Sequence, residues 1–211
     1  ELPPEGVLRC VETAGIGFCL APRYHPAFRF AAPSRREIGI PTVFNLLGPM
    51  ANPGRVRRQL IGVANPGVAE RMLASLRLHG SHRAWVVHGN GLDELTTTGP
   101  STVLALEDDM VRHFTVDPME LGLAPAIMDE LVGGTPDVNA EVVRQVLAGR
   151  HGAHRNIVVL NAAAALVVAG AAADLPAGLA LAAESIDSGA AAATLARFVQ
   201  VSQQAAEELG H

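Results

Sequence analysis

Apolar positions recur along the chain at two spacings. Val68, Met72, Leu73 and Leu76 repeat at the helical period, and Gly80 ends that run. Ala84, Trp85, Val86 and Val87 form an unbroken apolar stretch of strand length. Residues 59–64 read as another strand. Residues 101–106 and 110–116 read as an antiparallel pair joined through Glu107, Asp108 and Asp109. Further on, Val138, Val142, Val146 and Leu147 share one helical face, with Asp137 as the expected cap and Gly149 as the stop. The remainder is alanine-rich and predicts helices over 157–173, 177–186 and 188 to about 209. Towards the start, Pro3 and Pro4 suit the first turn of a helix reaching to about residue 13. Residues 15–20 (GIGFCL) read as a buried strand, and 25–39 as helix divided by Pro33. Residues 42–47 are apolar without a definite period, and Gly48-Pro49, Asn52-Pro53 and Gly54 mark a loop. Strands alternating with helices predict an α/β protein: a mostly parallel mixed sheet flanked by helices.

Composition narrows what such a fold does. Of the 211 residues, 49% are hydrophobic and 18% charged, enough apolar material for a core and too much for a disordered chain. Two cysteines, Cys10 and Cys19, are too few for a disulfide scaffold, so an intracellular, cytoplasmic protein is expected. The chain opens without a basic–apolar leader. Its most membrane-like stretch, 157–173, falls short of the roughly 20 residues a span needs and contains Asn161, so a buried helix is expected and no membrane. All 16 basic residues are arginine, which excludes a Walker-type phosphate loop and any lysine Schiff base. A net charge of −5 and 4% aromatics weigh against a nucleic-acid partner. The charge is uneven, however. Between Arg23 and Arg58 seven arginines stand against one acid, a local +6 on an otherwise acidic chain. Such a patch suits a small anion, or else is scattered over solvated faces.

Few motifs carry chemistry. Gly15-Ile16-Gly17 and Gly89-Asn90-Gly91 each lack the third glycine of a dinucleotide fingerprint. No Gly-x-Ser-x-Gly elbow occurs, and the pairs His79/His82 and His151/His154 lack partners for a metal site. More pointed is the run Val86-Val87-His88-Gly89-Asn90-Gly91-Leu92-Asp93-Glu94-Leu95, in which an apolar strand ends in a glycine loop bearing two adjacent carboxylates. Ligands of open α/β sheets bind at the carboxyl ends of strands, and such a pair can hold Mg²⁺. The alternative is an N-cap for a following helix. A second constellation is His25, Pro26, Ala27 and Phe28 with Arg35 and Arg36 ten residues on. Arginine suits bidentate carboxylate capture, and the histidine and aromatic could flank a small aromatic acid. An amphipathic helix with exposed arginines is the alternative.

Read together, these blocks resemble a known family. Ala21-Pro22-Arg23-Tyr24-His25-Pro26-Ala27-Phe28, Arg35-Arg36-Glu37-Ile38-Gly39, Thr42-Val43-Phe44-Asn45-Leu46-Leu47-Gly48-Pro49 and Asn52-Pro53 closely resemble anthranilate phosphoribosyltransferases. So do Arg58-Gln59-Leu60-Ile61-Gly62-Val63, Val87-His88-Gly89, Gly91-Leu92-Asp93-Glu94-Leu95 and Leu160-Asn161-Ala162-Ala163, and the similarity extends over essentially the whole chain.

That resemblance implies a glycosyltransferase of tryptophan biosynthesis. It moves phosphoribosyl from phosphoribosyl pyrophosphate to anthranilate, giving phosphoribosylanthranilate and pyrophosphate. It further implies Mg²⁺ as cofactor, a homodimer, and a fold like the nucleoside phosphorylases, in which a small helical domain stands against a larger α/β domain. Carried over residue by residue, it makes Arg35 the carboxylate partner of anthranilate, with His25, Phe28, Gly48 and Pro49 along its route. Asp93 and Glu94 become the metal pair. No residue is implied as covalent nucleophile or as an assigned base. Residues 1–20 and 51–211 would belong to the α/β domain and 21–50 to the helical one. The family's Gly-Thr-Gly-Gly-Asp loop and Lys-His-Gly-Asn segment, which bind phosphoribosyl pyrophosphate, do not occur here. The chain resembles roughly the last two thirds of a family member and is not expected to turn over alone. The rival readings are an enzyme like the pyrimidine nucleoside phosphorylases and a non-catalytic nucleic-acid-binding relative.

Overall fold

A computed structural model describes residues 2–25, 30, 33, 37, 39, 48 and 50–209. Its contacts divide it into two units: Glu1–Arg55 with Ala190–His211, and Val56–Gly189.

In the first unit, helix α1 (Pro4–Ala14) begins with proline in its first turn, where the missing N–H costs nothing. It ends at Gly15 in the left-handed conformation, whose N–H bonds the Val11 carbonyl at 3.0 Å. Gly6, Val7, Cys10 and Ala14 form its buried stripe. It packs on the long C-terminal helix, here α7 (Ala190–Glu208), which buries Val201 and Ala205. Helix α2 is the short Ala21–Tyr24. The strand expected over 15–20 does not form. Among the described residues no strand pairs with it, and Phe18 stands 67% exposed. Gly48 and Met50 have helical backbone, and the expected loop begins at Ala51. Most of the helix expected over 25–39, and all of 42–47, lie outside the described residues.

The second unit holds a four-stranded sheet in the order β1 (Arg58–Gly62), β2 (Arg83–Gly89), β3 (Ser101–Glu107), β4 (Met110–Val116). β1 and β2 run parallel, Leu60 opposite Trp85, with α3 (Ala69–Leu78) between them in sequence. β2–β3 and β3–β4 are antiparallel, so the expected parallel majority is not met among the described strands. The two-residue β3–β4 turn and the β2–β3 link, residues 90–100, are too short for a crossover helix, and only the β1–β2 link carries one. The β3–β4 turn places Asp108 and Asp109 at φ 46° and 67°. That is the doubly left-handed turn a two-residue hairpin requires.

Both faces of the sheet are covered. Trp85, Val87, Val103 and Ala105 point to one side, where Leu160, Ala164 and Val168 of α5 (Ala153–Ala169) meet them. Trp85 and Phe114 pack edge to face with centroids 5.3 Å apart. On the other side α3 packs against β2 and β3, burying Met72, Leu73 and Leu76. The last carbonyls of α5 are met by guanidinium groups: Arg83 donates to Val167 O at 3.0 Å, and Arg58 to Ala169 O.

Helix α4 (Pro136–Leu147) is capped by Thr135, whose hydroxyl accepts from Val138 N–H; Asp137, the expected cap, sits inside the first turn. Proline at the first helical position moves the cap one residue before it, to Thr135. Of its expected apolar face only Val146 is fully buried.

Helix α6 (Leu175–Asp187) lies close on α5, and Gly178 permits it. A Cβ there would stand 2.8 Å from Ala163 O and 3.0 Å from its Cα. Both obstacles belong to Ala163 backbone and cannot rotate away. Gly178→Val is therefore expected to cost about 1–3 kcal/mol of stability despite valine's better helix propensity. Urea unfolding of the two proteins measures it, and an unchanged midpoint would show that the helices can separate freely.

Candidate functional site

Strand β2 ends at Gly89 against the carboxyl end of its parallel neighbour β1. The chain then reverses over two residues, Asn90 (φ 49°) and Gly91 (φ 90°). Gly89 and Leu92 exchange both backbone hydrogen bonds, at 3.1 and 2.8 Å. An Asn-Gly pair with both φ values positive is the favoured two-residue hairpin turn. It sends Asp93 and Glu94 back over the ends of β1 and β2.

Two glycines make that return possible. A Cβ on Gly62 would overlap the Asp93 carbonyl, and one on Gly89 would stand 2.5 Å from Glu94 O and 2.8 Å from Thr96 Cγ2. Neither place has room for a side chain. His88, the last side chain before the turn, places Nδ1 2.9 Å from Val63 O. A carbonyl only accepts, so Nδ1 carries the proton and Nε2 is left to accept from Gly91 N–H at 3.4 Å.

Beyond the acids the chain is held from below. Leu95, Thr96 and Thr97 are fully buried. Thr96 N–H donates to Ser101 Oγ at 3.0 Å, and Thr98 N–H to Thr96 Oγ1 at 3.1 Å. Asn90 Nδ2 reaches Thr98 Oγ1 at 3.2 Å, tying the turn to the same segment. Asn161, projecting from α5, accepts from Leu95 N–H at 3.0 Å and donates to Leu95 O at 2.7 Å.

The alternative reading of the acids as a helix cap fails. Residues 92–100 contain no helix, and the next element is β3. Asp93 is exposed and Glu94 half-buried. The Glu94 carboxyl is raised above its ordinary value, first by burial and then by the neighbouring Asp93 charge. Adjacent hard oxygen donors, one of which resists ionisation for lack of a countercharge, suit a divalent cation that takes its remaining ligands from water and phosphate. Among the described residues no group of three or more His, Cys, Asp or Glu is arranged to hold a metal, so this pair would supply two ligands and not a closed cage.

His25, just after α2, and Gly48, in helical backbone, are both partly buried and belong to the first unit. Phe28, Arg35 and Pro49 lie outside the described residues. Gly62, Ser101 and the role of Asn161 had not been expected. The signals for Asn161 are an amide within the apolar run 157–169 of α5 and the Leu160-Asn161-Ala162-Ala163 block.

Comparison with protein families matches residues 1–192 to the glycosyl transferase family, a/b domain. The chain belongs to this family. Among curated relatives, an anthranilate phosphoribosyltransferase of Methylorubrum populi is 53% identical over 202 residues, covering 95% of this chain and 60% of the relative. The chain thus spans 60% of the length of this relative and of others like it. Among solved structures, the Thermus thermophilus anthranilate phosphoribosyltransferase aligns with a TM-score of 0.89 at 39% identity, over 96% of this chain and 60% of that one. The Saccharomyces cerevisiae enzyme is similar in two complexes. With PRPP and Mg it gives 27% identity and a TM-score of 0.82, over 89% of this chain and 55% of that one. With 4-fluoroanthranilate it gives 26% and 0.88, over 96% and 59%. The fold is therefore of the phosphoribosyltransferase and nucleoside phosphorylase kind, a mixed sheet flanked by helices.

The glycine contact is testable. Gly62→Ala must push the Asp93 peptide away, and is expected to cost about 1–3 kcal/mol and to move the Asp93 and Glu94 amide resonances while those of β3 stay in place. Unmoved resonances would mean that the loop does not rest on β1.

Glu94 gives a pH prediction. Its folded-state affinity for a proton exceeds that of the unfolded chain, so its charge opposes folding at high pH and ceases to do so as pH falls below the ordinary carboxylate value, about 4.3. Without divalent cations, Glu94→Gln is expected to melt higher than the parent at pH 7, with the gap closing near pH 4. Thermal denaturation in chelator measures that gap at each pH, and a gap independent of pH would contradict the cause given.

Proposed function

We propose that the protein containing this chain transfers phosphoribosyl from phosphoribosyl pyrophosphate to the amine of anthranilate, as a Mg²⁺-dependent, homodimeric, cytoplasmic enzyme. The observation that carries the reading is the Asp93–Glu94 pair, seated on Gly62 and Gly89 at the carboxyl ends of two parallel strands, in a chain of this family. Relatives solved with PRPP and Mg and with 4-fluoroanthranilate support the same substrates. Among the described residues no helix is long and apolar enough to cross a membrane.

The reaction forms a bond from the anthranilate nitrogen to the sugar C1 and breaks the bond from C1 to the pyrophosphate oxygen; the nitrogen then gives a proton to solvent. Charge builds on the leaving group as C1 becomes cationic, and Mg²⁺ held by Asp93 and Glu94 would neutralise it. The remaining work is positioning. Arg35 is assigned to the anthranilate carboxylate as a planar two-donor partner, and His25, Phe28, Gly48 and Pro49 to the walls of its route. An aromatic amine is uncharged at neutral pH, so no base is needed to free its lone pair. Residues 21–50 are assigned to a small helical domain, and 1–20 and 51–211 to the α/β domain.

The test is anthranilate fluorescence on a protein of the relatives' full length containing these residues. Loss of signal that needs both phosphoribosyl pyrophosphate and Mg²⁺ is expected, with none from the 211 residues alone. Asp93→Ala with Glu94→Gln is expected to abolish it. Arg35→Ala is expected to weaken anthranilate binding by about 2–5 kcal/mol. Phosphorolysis of a pyrimidine nucleoside in place of this activity would move the assignment to the nucleoside phosphorylase reading.

A further inference from the structure

Asn161 makes more hydrogen bonds than any surface amide needs. Its Oδ1 accepts from Leu95 N–H at 3.0 Å. Its Nδ2 donates to Leu95 O at 2.7 Å and to Ile157 O, one turn back in α5, at 3.0 Å. Nδ2 has two hydrogens, and these two carbonyls use both. Turning the amide over would set Oδ1 against two carbonyl oxygens, so the orientation is fixed by the partners themselves. The same Nδ2 also reaches Glu94 Oε2 at 3.5 Å, the longest of its contacts. Asn161 thus grips both polar groups of the residue following Glu94 and touches one oxygen of that carboxylate only at the limit of hydrogen-bond distance.

The grip is rooted in the core. Asn161 lies between Leu160 and the pair Ala163 and Ala164, all three fully buried, so α5 cannot shift without disturbing the sheet's main cluster. The loop is thereby held from two sides: β1 and β2 meet its backbone at Gly62 and Gly89, and α5 holds it at Leu95.

We propose that Asn161 is the positioning residue of the acid pair, fixing the Leu95 peptide so that Asp93 and Glu94 present their carboxylates together to one divalent cation. This rests on the reading of that pair as the metal site. Partners that orient metal ligands typically change metal affinity by about 10–100-fold when removed.

The experiment uses Mn²⁺ as probe on this chain, with its binding followed by electron paramagnetic resonance and amide exchange by NMR. Asn161→Ala is expected to raise the Mn²⁺ dissociation constant at least about tenfold. It is also expected to release the Leu95 amide to exchange while Val87 and Val103 stay protected. Asn161→Asp retains the acceptor for Leu95 N–H but turns an oxygen towards the two carbonyls, so Leu95 exchange should fall between the other two proteins. In the parent, slow exchange of the Asn161 side-chain amide is expected, a measurement independent of whether either variant folds; fast exchange there would overturn the proposal. So would an unchanged Mn²⁺ affinity in a folded Asn161→Ala chain whose Asp93→Ala, Glu94→Gln counterpart binds weakly. If that double variant binds Mn²⁺ as tightly as the parent, the metal reading itself falls and takes the positioning role with it.

Discussion

The Asp93 carbonyl occupies the space where any residue other than glycine at position 62 would put its side chain. Much of the second unit depends on that contact. Because the loop after β2 lies directly on the end of β1, two adjacent carboxylates stand at the carboxyl ends of the two parallel strands. Gly89 is crowded too, by Glu94 O and Thr96 Cγ2, and the chain leaves β2 in a two-residue turn and re-enters the protein at once. The buried segment from Leu95 to Thr97 then leads into β3, and the antiparallel half of the sheet grows from it.

This arrangement resolves an electrostatic conflict by geometry. Two adjacent acids repel each other, and burial makes the second harder to ionise. A chain free to relax would turn the carboxylates apart. Here the backbone on either side is held, by Gly62 and Gly89 through close packing and by Leu95 through hydrogen bonds to Asn161. The repulsion is retained, and a cation with hard-oxygen preference is the natural partner to offset it. At the other end of the same helix, Arg58 and Arg83 meet the carbonyls of the last turn of α5, so the element that steadies the acid loop is itself fixed at both ends of the sheet.

The elements most legible in the sequence were those whose period and punctuation agree. The helix carrying Met72, Leu73 and Leu76, the apolar strand through Val86, and the β3–β4 hairpin each combine a clear pattern with a glycine or a polar turn. The run at 15–20 has the composition of a strand but no strand to pair with among the described residues, and composition cannot report a partner. Asp137 looked like a cap, yet Pro136 at the first helical position moves that task to Thr135. The acid pair was visible as two carboxylates after a strand. Whether they capped a helix or stood free depended on the next segment, which is a buried stretch leading into β3 and not a helix.

By itself the sequence determined local matters: where helices repeat, where the chain turns, which residues carry hard oxygen donors, and, through the blocks around Phe44 and Asp93, the family to which the chain belongs. Those are set by spacing and residue type, which a linear string contains in full. Only the tertiary structure decided that Gly62 must be glycine, that Asn161 spans 66 residues of sequence to hold Leu95, and that three strand pairings divide into one parallel and two antiparallel. These are relations between distant segments, set by how closely two backbones approach and which polar groups face each other when the core closes.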